Sequence, residues 1–283
     1  MHKIILQGAA INADQVTNLS LNTRITAFSR GESHGFSSFL VETMPDKPTL
    51  HNWRKVLGCD VNVLPPGFDP SAVRLVVSDM DSTLINIECV DEIADFAGVK
   101  QQVSDVTEAA MRGELDFAES LIARVGLLKG LHVNALQQVY DERLELNSGA
   151  EQMLARLKAN DIRFALVSGG FTYFTDKLKN RLGLDYTLAN TLECEGDVLT
   201  GRVTGAIVGG EAKAAFLLQK CEDLSITPAQ VVAIGDGAND LLMMAEAGLG
   251  IAYHAKPKVQ AEADCALNYS DLEGLTGLLG LNH

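Results

Sequence analysis

The chain has 283 residues, 47% of them apolar and 21% charged, a balance that buries a real core and leaves little room for extended disorder. That length suits one large domain with an appendage, and no charge-free run exceeds about a dozen residues, short of the roughly 18 to 20 that span a bilayer. Thirty-seven acids against 23 bases give a formal charge of −14, which repels phosphate backbones and anionic headgroups and argues against nucleic acid and membranes as partners.

Lys3 is followed by Ile4, Ile5 and Leu6 and then by Ala9 and Ala10, which imitates a secretory leader until Gln7, Asn12 and Asp14 interrupt it; the stretch reads as a strand. Further β-rich runs at Arg24 to Phe28 and Phe36 to Glu42, then a helix around Leu50 to Leu57, make residues 1–70 a small α+β appendage. Pro65, Pro66, Gly67 and Pro70 extend neither a helix nor a central strand, so the domain boundary is expected there, with 71–283 as the main domain.

Beyond it, short apolar runs alternate with segments of helical period, the pattern of a parallel sheet covered on both faces. Strands are expected at Arg74 to Ser78, Ile162 to Val167, Val231 to Ile234 and Leu249 to Tyr253. Helices are expected on the stripe Ala150, Met153, Leu154, Leu157, near Phe171 to Leu182, and from Glu211 to about Cys221. Tyr186 to Leu192 and Val198 to Thr204 flank Glu195-Gly196-Asp197 as a hairpin. Residues 84 to about 146 break the rhythm, with helical period alone at Val90, Ile93, Ala94 and Ala97 and at Phe117, Leu121 and Val125. The fold class is therefore α/β, a Rossmann-like doubly wound parallel sheet with an inserted helical cap and the small N-terminal appendage.

Open α/β sheets bind ligands at the carboxyl ends of their strands, and three expected strands end there in reactive or anion-binding residues. The first runs into Asp79-Met80-Asp81-Ser82-Thr83, the second into Ser168-Gly169-Gly170, and the third into Gly235-Asp236-Gly237-Ala238-Asn239-Asp240. An isolated D-x-D is more often an exposed acidic turn, and a strand before the third run, with no glutamate at the twelfth position, rejects an EF-hand. Together the oxygens suit a hard cation, magnesium first. Lys213, inside the preceding helix, offers positive charge, although a lone lysine there is more often solvated. The five cysteines are scattered singly without C-x-x-C spacing, which fits reduced thiols and a cytoplasmic protein. The six histidines match no metal-ligand spacing.

These four stretches, in this order, resemble the motifs of the haloacid dehalogenase-like phosphatases. The likeness is closer to the phosphoserine phosphatases within them, through Glu88-Cys89-Val90-Asp91-Glu92-Ile93-Ala94, Met111, Phe117 to Lys129, Ser168-Gly169-Gly170-Phe171 and Ala255-Lys256-Pro257. It covers roughly residues 72 to 275. The resemblance implies Mg²⁺-dependent hydrolysis of O-phospho-L-serine to serine and phosphate, the last step of serine biosynthesis. By the same resemblance Asp79 is the nucleophile and Asp81 the general acid and base, with Lys213 beside them. Magnesium is held by the side chains of Asp79 and Asp236 and the backbone carbonyl of Asp81, with Asp240 in support. Ser168, Gly169 and Asn239 contact phosphate, Glu88 the substrate ammonium and Arg124 its carboxylate, while Met111 and Phe117 close over the substrate. A different small phosphomonoester, phosphoryl transfer to an acceptor such as homoserine, or a silent amino-acid sensor are the alternatives; a homodimer is left open. Some relatives carry an ACT ligand-binding domain where the appendage lies, but no clean βαββαβ order is traceable through residues 1–64.

Overall fold

The computed structural model describes residues 2–8, 15, 25–30 and 36–281, without the side chains of 25–30, 36 and 111. The N-terminal unit comprises β1 (His2–Gln7), β2 (Ile25–Arg30), β3 (Phe36–Val41), α1 (Lys47–Leu57) and β4 (Asp60–Asn62). Its strands pair antiparallel in the order β2-β3-β1-β4. Asp46 starts α1 by accepting the Thr49 N–H, and Gly58 ends it at φ 61°, a left-handed cap that glycine adopts without strain. Leu50, Trp53 and Leu57 on one face of α1 pack on Ile4, Leu6, Phe39, Val41 and Val61. An ACT-like βαββαβ order would put its first helix within residues 9–24, of which only Gln15 is described.

The main sheet has seven strands in the order β11-β10-β9-β5-β6-β7-β8. They are β5 (Leu75–Ser78), β6 (Arg163–Phe171), β7 (Tyr186–Glu195), β8 (Val198–Thr204), β9 (Val231–Gly235), β10 (Leu249–Tyr253) and β11 (Cys265–Leu267). Every pairing is parallel except the β7–β8 hairpin. Alternate residues serve opposite faces: Leu75, Val77, Ala165, Val167, Val231 and Ala233 lie in one core, and Val76, Phe164, Leu166, Val232 and Ile234 in the other. The cap contributes α2 (Cys89–Phe96), α3 (Lys100–Met111), α4 (Phe117–Leu127) and α5 (Asn134–Glu142), and α6 (Ala150–Ala159) returns the chain to the sheet. The remaining helices used below are α7 (Thr172–Leu182), α8 (Gly210–Leu224) and α10 (Pro257–Glu262), with the short α9 (Leu241–Glu246) between the last two. The two linkers of the cap are zipped together: Ile85 bridges Leu146, and Asn147 Nδ2 donates to the carbonyls of Thr83 (2.8 Å) and Ile85 (3.0 Å).

Some elements differ from the sequence reading, among them β11 (Cys265–Leu267), which it did not expect. The strand expected to stop at Val167 continues to Phe171, with a break in its register against β7 between Val167 and Phe171. β4 is new, and its sequence explains why it is silent: Asp60-Val61-Asn62 has polar residues that pair with a distant segment of the chain. Asn62 Oδ1 accepts the Ala266 N–H and its Nδ2 donates to the Ala266 carbonyl, both at 2.9 Å, filling the open side of β11 as a further strand would. The fully buried Asp60 carboxylate accepts the N–H groups of Asn268 (2.7 Å), Tyr269 and Ser270 (2.9 Å) and the Ser270 hydroxyl. Lys47 Nζ donates to the carbonyls of Ala261 (2.6 Å) and Ala263 (3.1 Å) at the end of α10.

The appendage is thus fastened to the sheet by buried polar bonds. Asp60→Ala strands three backbone donors, each worth about 1–3 kcal/mol when left unpaired. It is expected to lower the unfolding free energy by about 3 kcal/mol, read from denaturant midpoints; a loss below about 1 kcal/mol would mean that water replaces the carboxylate there. Among the described residues no helix is long and apolar enough to cross a membrane, and all five cysteines are free.

Candidate active site

β5 lies between β9 and β6, so the residue after Ser78 emerges at the middle of the sheet's carboxyl edge. Residues Met80–Leu84 form one wide turn closed by Ile85 N–H to Met80 O (3.0 Å), with Ser82 in the left-handed region at φ 56°. A serine held there is strained backbone, which the surrounding structure must fix. The turn puts Asp79 and Asp81 on opposite neighbours. Asp81 Oδ1 accepts the Cys89 N–H (2.9 Å), and its Oδ2 accepts the Ser168 hydroxyl (3.1 Å). Gly170 N–H in turn donates to Ser168 Oγ (2.7 Å). A Cβ on Gly170 would sit 2.6 Å from Asp81 Oδ2, so only glycine leaves room for that carboxylate.

Asp79 Oδ1 accepts the Met80 N–H and contacts Lys213 Nζ, both at 2.7 Å. The same ammonium donates to Asp240 Oδ1 at 2.7 Å. Far from being solvated, Lys213 is fully buried. Burial by itself lowers its pKa, but Asp240 and Asp79 outweigh that and raise it. Asp240 Oδ2 accepts the Gly237 N–H (3.0 Å), and Thr83 Oγ1 donates to Asp236 Oδ1 (3.0 Å). Burial first, and Asp240 second, push Asp236 up to about 6 and Asp79 well above the usual carboxylate range. Oxygens of Asp79, Asp236 and Asp240 come within 4.8 Å of one another. Three clustered carboxylates against one lysine leave a charge deficit, and an all-oxygen donor set of this kind fits a hard divalent cation.

The cap supplies the other wall. Glu88, just before α2, accepts the Ser82 hydroxyl at 2.7 Å. Its carboxyl faces solvent yet stands among close protein walls, and that enclosure, followed by the charge of Asp81, pushes it up to about 7. Arg124 on α4 is half-buried, with Nε donating to Ser120 O (3.3 Å). Burial lowers its pKa, while Asp91, Glu88 and Asp81 support its charge. The Phe117 ring packs on Gly169 and Gly209, where a Cβ would come within 2.7 and 3.1 Å of it. Asn239 is half-buried beside Gly237. Met111 ends α3, and its side chain lies outside the described residues. Sequence reasoning gave Thr83 no task, and read Gly170 as backbone open to an anion rather than as the gap that admits the Asp81 carboxylate.

Residues 73–248 match the family described as haloacid dehalogenase-like hydrolase. The chain belongs to the haloacid dehalogenase-like hydrolases. Within this family it is 52% identical over 227 residues to a phosphoserine phosphatase of Polaromonas sp., covering 78% of this chain and 96% of the relative. It is 49% identical over 225 residues to a phosphoserine phosphatase of Haemophilus influenzae, covering 79% and 71%. The crystal structure of a probable phosphoserine phosphatase from Vibrio cholerae, unliganded, superposes with TM-score 0.84 at 39% identity over 99% of this chain and 86% of that one. A phosphoserine phosphatase structure with a phospho-aspartyl intermediate analogue gives TM-score 0.69 at 40% identity over 73% and 98%. Members of this family that act as phosphatases generally use a divalent metal, in keeping with the carboxylate cluster.

Proposed function

We propose that this hydrolase cleaves O-phospho-L-serine to L-serine and phosphate with Mg²⁺, through a phosphoryl group carried on Asp79. The observation that supports it best is the convergence of Asp79 on Lys213, and of Asp81 on Ser168, beneath a cap that presents Glu88 and Arg124. An ionised carboxylate needs no base to become a nucleophile; burial and Asp240 oppose that ionisation at Asp79, and the Lys213 ammonium beside it favours it. The obstacle to attack is repulsion, roughly 4 kcal/mol for two unit charges about 4 Å apart at an effective dielectric of 20, and more against a phosphate dianion. Lys213 opposes that repulsion. The side chains of Asp79 and Asp236 and the backbone carbonyl of Asp81 would hold Mg²⁺, with Asp240 in support. Bound there, the cation would supply charge neutralisation for the phosphoryl oxygens.

In the first step an Asp79 oxygen bonds to phosphorus as the bond to the serine oxygen breaks. Burial raises the pKa of Asp81, which suits a carboxylic acid that gives its proton to that departing oxygen. In the second step water attacks phosphorus, the Asp79–phosphorus bond breaks, and Asp81 takes the water's proton. Ser168, the Gly169 backbone and Asn239 contact the phosphoryl oxygens throughout. Glu88 pairs with the substrate ammonium and the Arg124 fork with its carboxylate, and Phe117 excludes water.

Phosphate release across a panel of phosphomonoesters, with Mg²⁺ and with a chelator, tests the reading. Phosphoserine should dominate and chelation should stop turnover. Equal rates on amino and non-amino esters would remove Glu88 and Arg124 from recognition, and faster transfer to an alcohol acceptor than to water would make the chain a phosphotransferase.

Two further outcomes follow from the geometry. Gly170→Ala drives a methyl into the Asp81 carboxylate, and kcat should fall about tenfold or more, as misplaced catalytic groups cost, with the melting temperature near wild type. An unchanged kcat would mean that Asp81 works from another position. Glu88, pushed up to about 7, is charged above that value and neutral below it, so its pull on an ammonium fades with acid. The KM for phosphoserine should therefore rise from pH 7 to pH 5 relative to that for p-nitrophenyl phosphate, and Glu88→Gln should abolish the difference. Parallel KM profiles in the wild type would refute the pairing.

A further inference from the structure

Asn190 on β7 is a buried amide in a strand, 2% exposed, and a strand interior offers such a group few partners. It has three, all backbone. Its Nδ2 donates to Gly169 O at 2.9 Å and to Val208 O at 3.4 Å, and its Oδ1 accepts the Val208 N–H at 2.8 Å. Gly169 lies in the stretch where β6 loses its register with β7; pairing resumes only at Phe171, opposite Asn190. Val208 precedes the two glycines that open α8, where the Lys213 N–H bonds to Gly209 O at 3.0 Å. One side chain therefore ties the bulge that carries Ser168 to the turn that launches Lys213. Ser168 reaches Asp81 and Lys213 reaches Asp79, so the two sides of the phosphoryl site share a single fastener.

We infer that Asn190 is a positioning residue for the phosphoryl group: it sets the spacing between the Ser168–Gly169 bulge and the Lys213 helix without touching the substrate. The inference rests on the reading of the site as a phosphomonoesterase. A serine hydroxyl or an aliphatic side chain at 190 would satisfy at most part of the set, and a buried polar group left unpaired is costly enough to move the loops instead. Both loops face the phosphoryl group, whereas Glu88 and Arg124 stand on the cap, so a loosened Asn190 acts on the phosphate end of the substrate alone.

The test compares the Mg²⁺-loaded wild type with Asn190→Asp and Asn190→Ala. Aspartate keeps the shape and the acceptor for Val208 N–H, but replaces both donated bonds by repulsion between oxygens, and it carries the test if the alanine variant does not fold. Well below the melting temperature, kcat should fall about 10- to 100-fold, the cost of a misplaced catalytic group. The inhibition constant for inorganic phosphate should rise about tenfold, while that for L-serine stays within about twofold. Combined with Ser168→Ala, the losses in kcat should be less than additive, because both changes act on one bulge. A fall in melting temperature with kcat and the phosphate constant unchanged would overturn the inference, as would strictly additive losses. If the wild type proves to prefer another phosphomonoester, the phosphate constant still decides the role of Asn190.

Discussion

Asp79→Asn is expected to give a folded protein whose turnover of phosphoserine falls by about 10⁴-fold or more, the scale of loss when a covalent nucleophile is removed. The amide keeps the shape of the side chain but offers no anionic oxygen to phosphorus. Stability should move the other way. In the metal-free protein, burial and Asp240 raise the pKa of Asp79, so the folded state holds its proton more tightly than the unfolded chain. Above the unfolded pKa the ionised form is therefore a penalty on the native state, and the neutral amide lacks it. The metal-free variant should melt no lower than wild type at neutral pH, and Mg²⁺ should raise its melting temperature less. Retained turnover, or phosphorus found on another side chain after rapid quenching, would end the nucleophile assignment.

Lys213→Met should be costlier to the fold than any other single change at the site. It leaves Asp79, Asp236 and Asp240 facing one another around a fully buried position with no cation. Breaking a buried pair by deleting one partner costs about 3–5 kcal/mol, and that loss is expected in the metal-free denaturation curve at neutral pH. Asp236, already pushed up to about 6, then becomes a group whose protonation relieves the crowding. Its raised pKa means that the penalty is full above that pH and fades as pH falls toward the unfolded value near 4. The deficit should accordingly shrink between pH 6 and pH 4, and excess Mg²⁺ should recover part of it. Turnover should drop about 10²- to 10³-fold even where the variant is folded, since a preorganised positive charge at the phosphoryl group is gone. A variant as stable as wild type without metal would show that the cluster sheds its charge by some other route.

Most of the parallel strands were legible because they are short apolar runs set off by helical period, a signal that depends only on local composition; β11, three residues long, was not. Lys213 was not, because nothing near it in sequence distinguishes a buried lysine from the solvated majority; Asp79 and Asp240, its partners, lie far along the chain. The end of β6 was misread for a related reason. Two consecutive glycines after a strand normally mark a stop, whereas here they let the backbone bulge past Asp81 and resume at Phe171. Asn190 was hidden in plain view, since a polar residue in a strand reads as one facing water unless its partners at Gly169 and Val208 are known. The ordered motifs, by contrast, carried Asp79, Asp81, Ser168, Lys213 and Asp236 together through resemblance, where each alone was weak.

An unpaired strand at the rim of a sheet invites recruitment of a neighbouring molecule, and proteins commonly deter this with charge, proline or a covering segment. Here one asparagine, Asn62, occupies both free backbone groups of Ala266. Cutting away the first 64 residues would thus do more than remove a passenger: it would bare a sticky margin, and a truncated enzyme prepared for assays should be watched for clumping before any change in rate is credited to regulation.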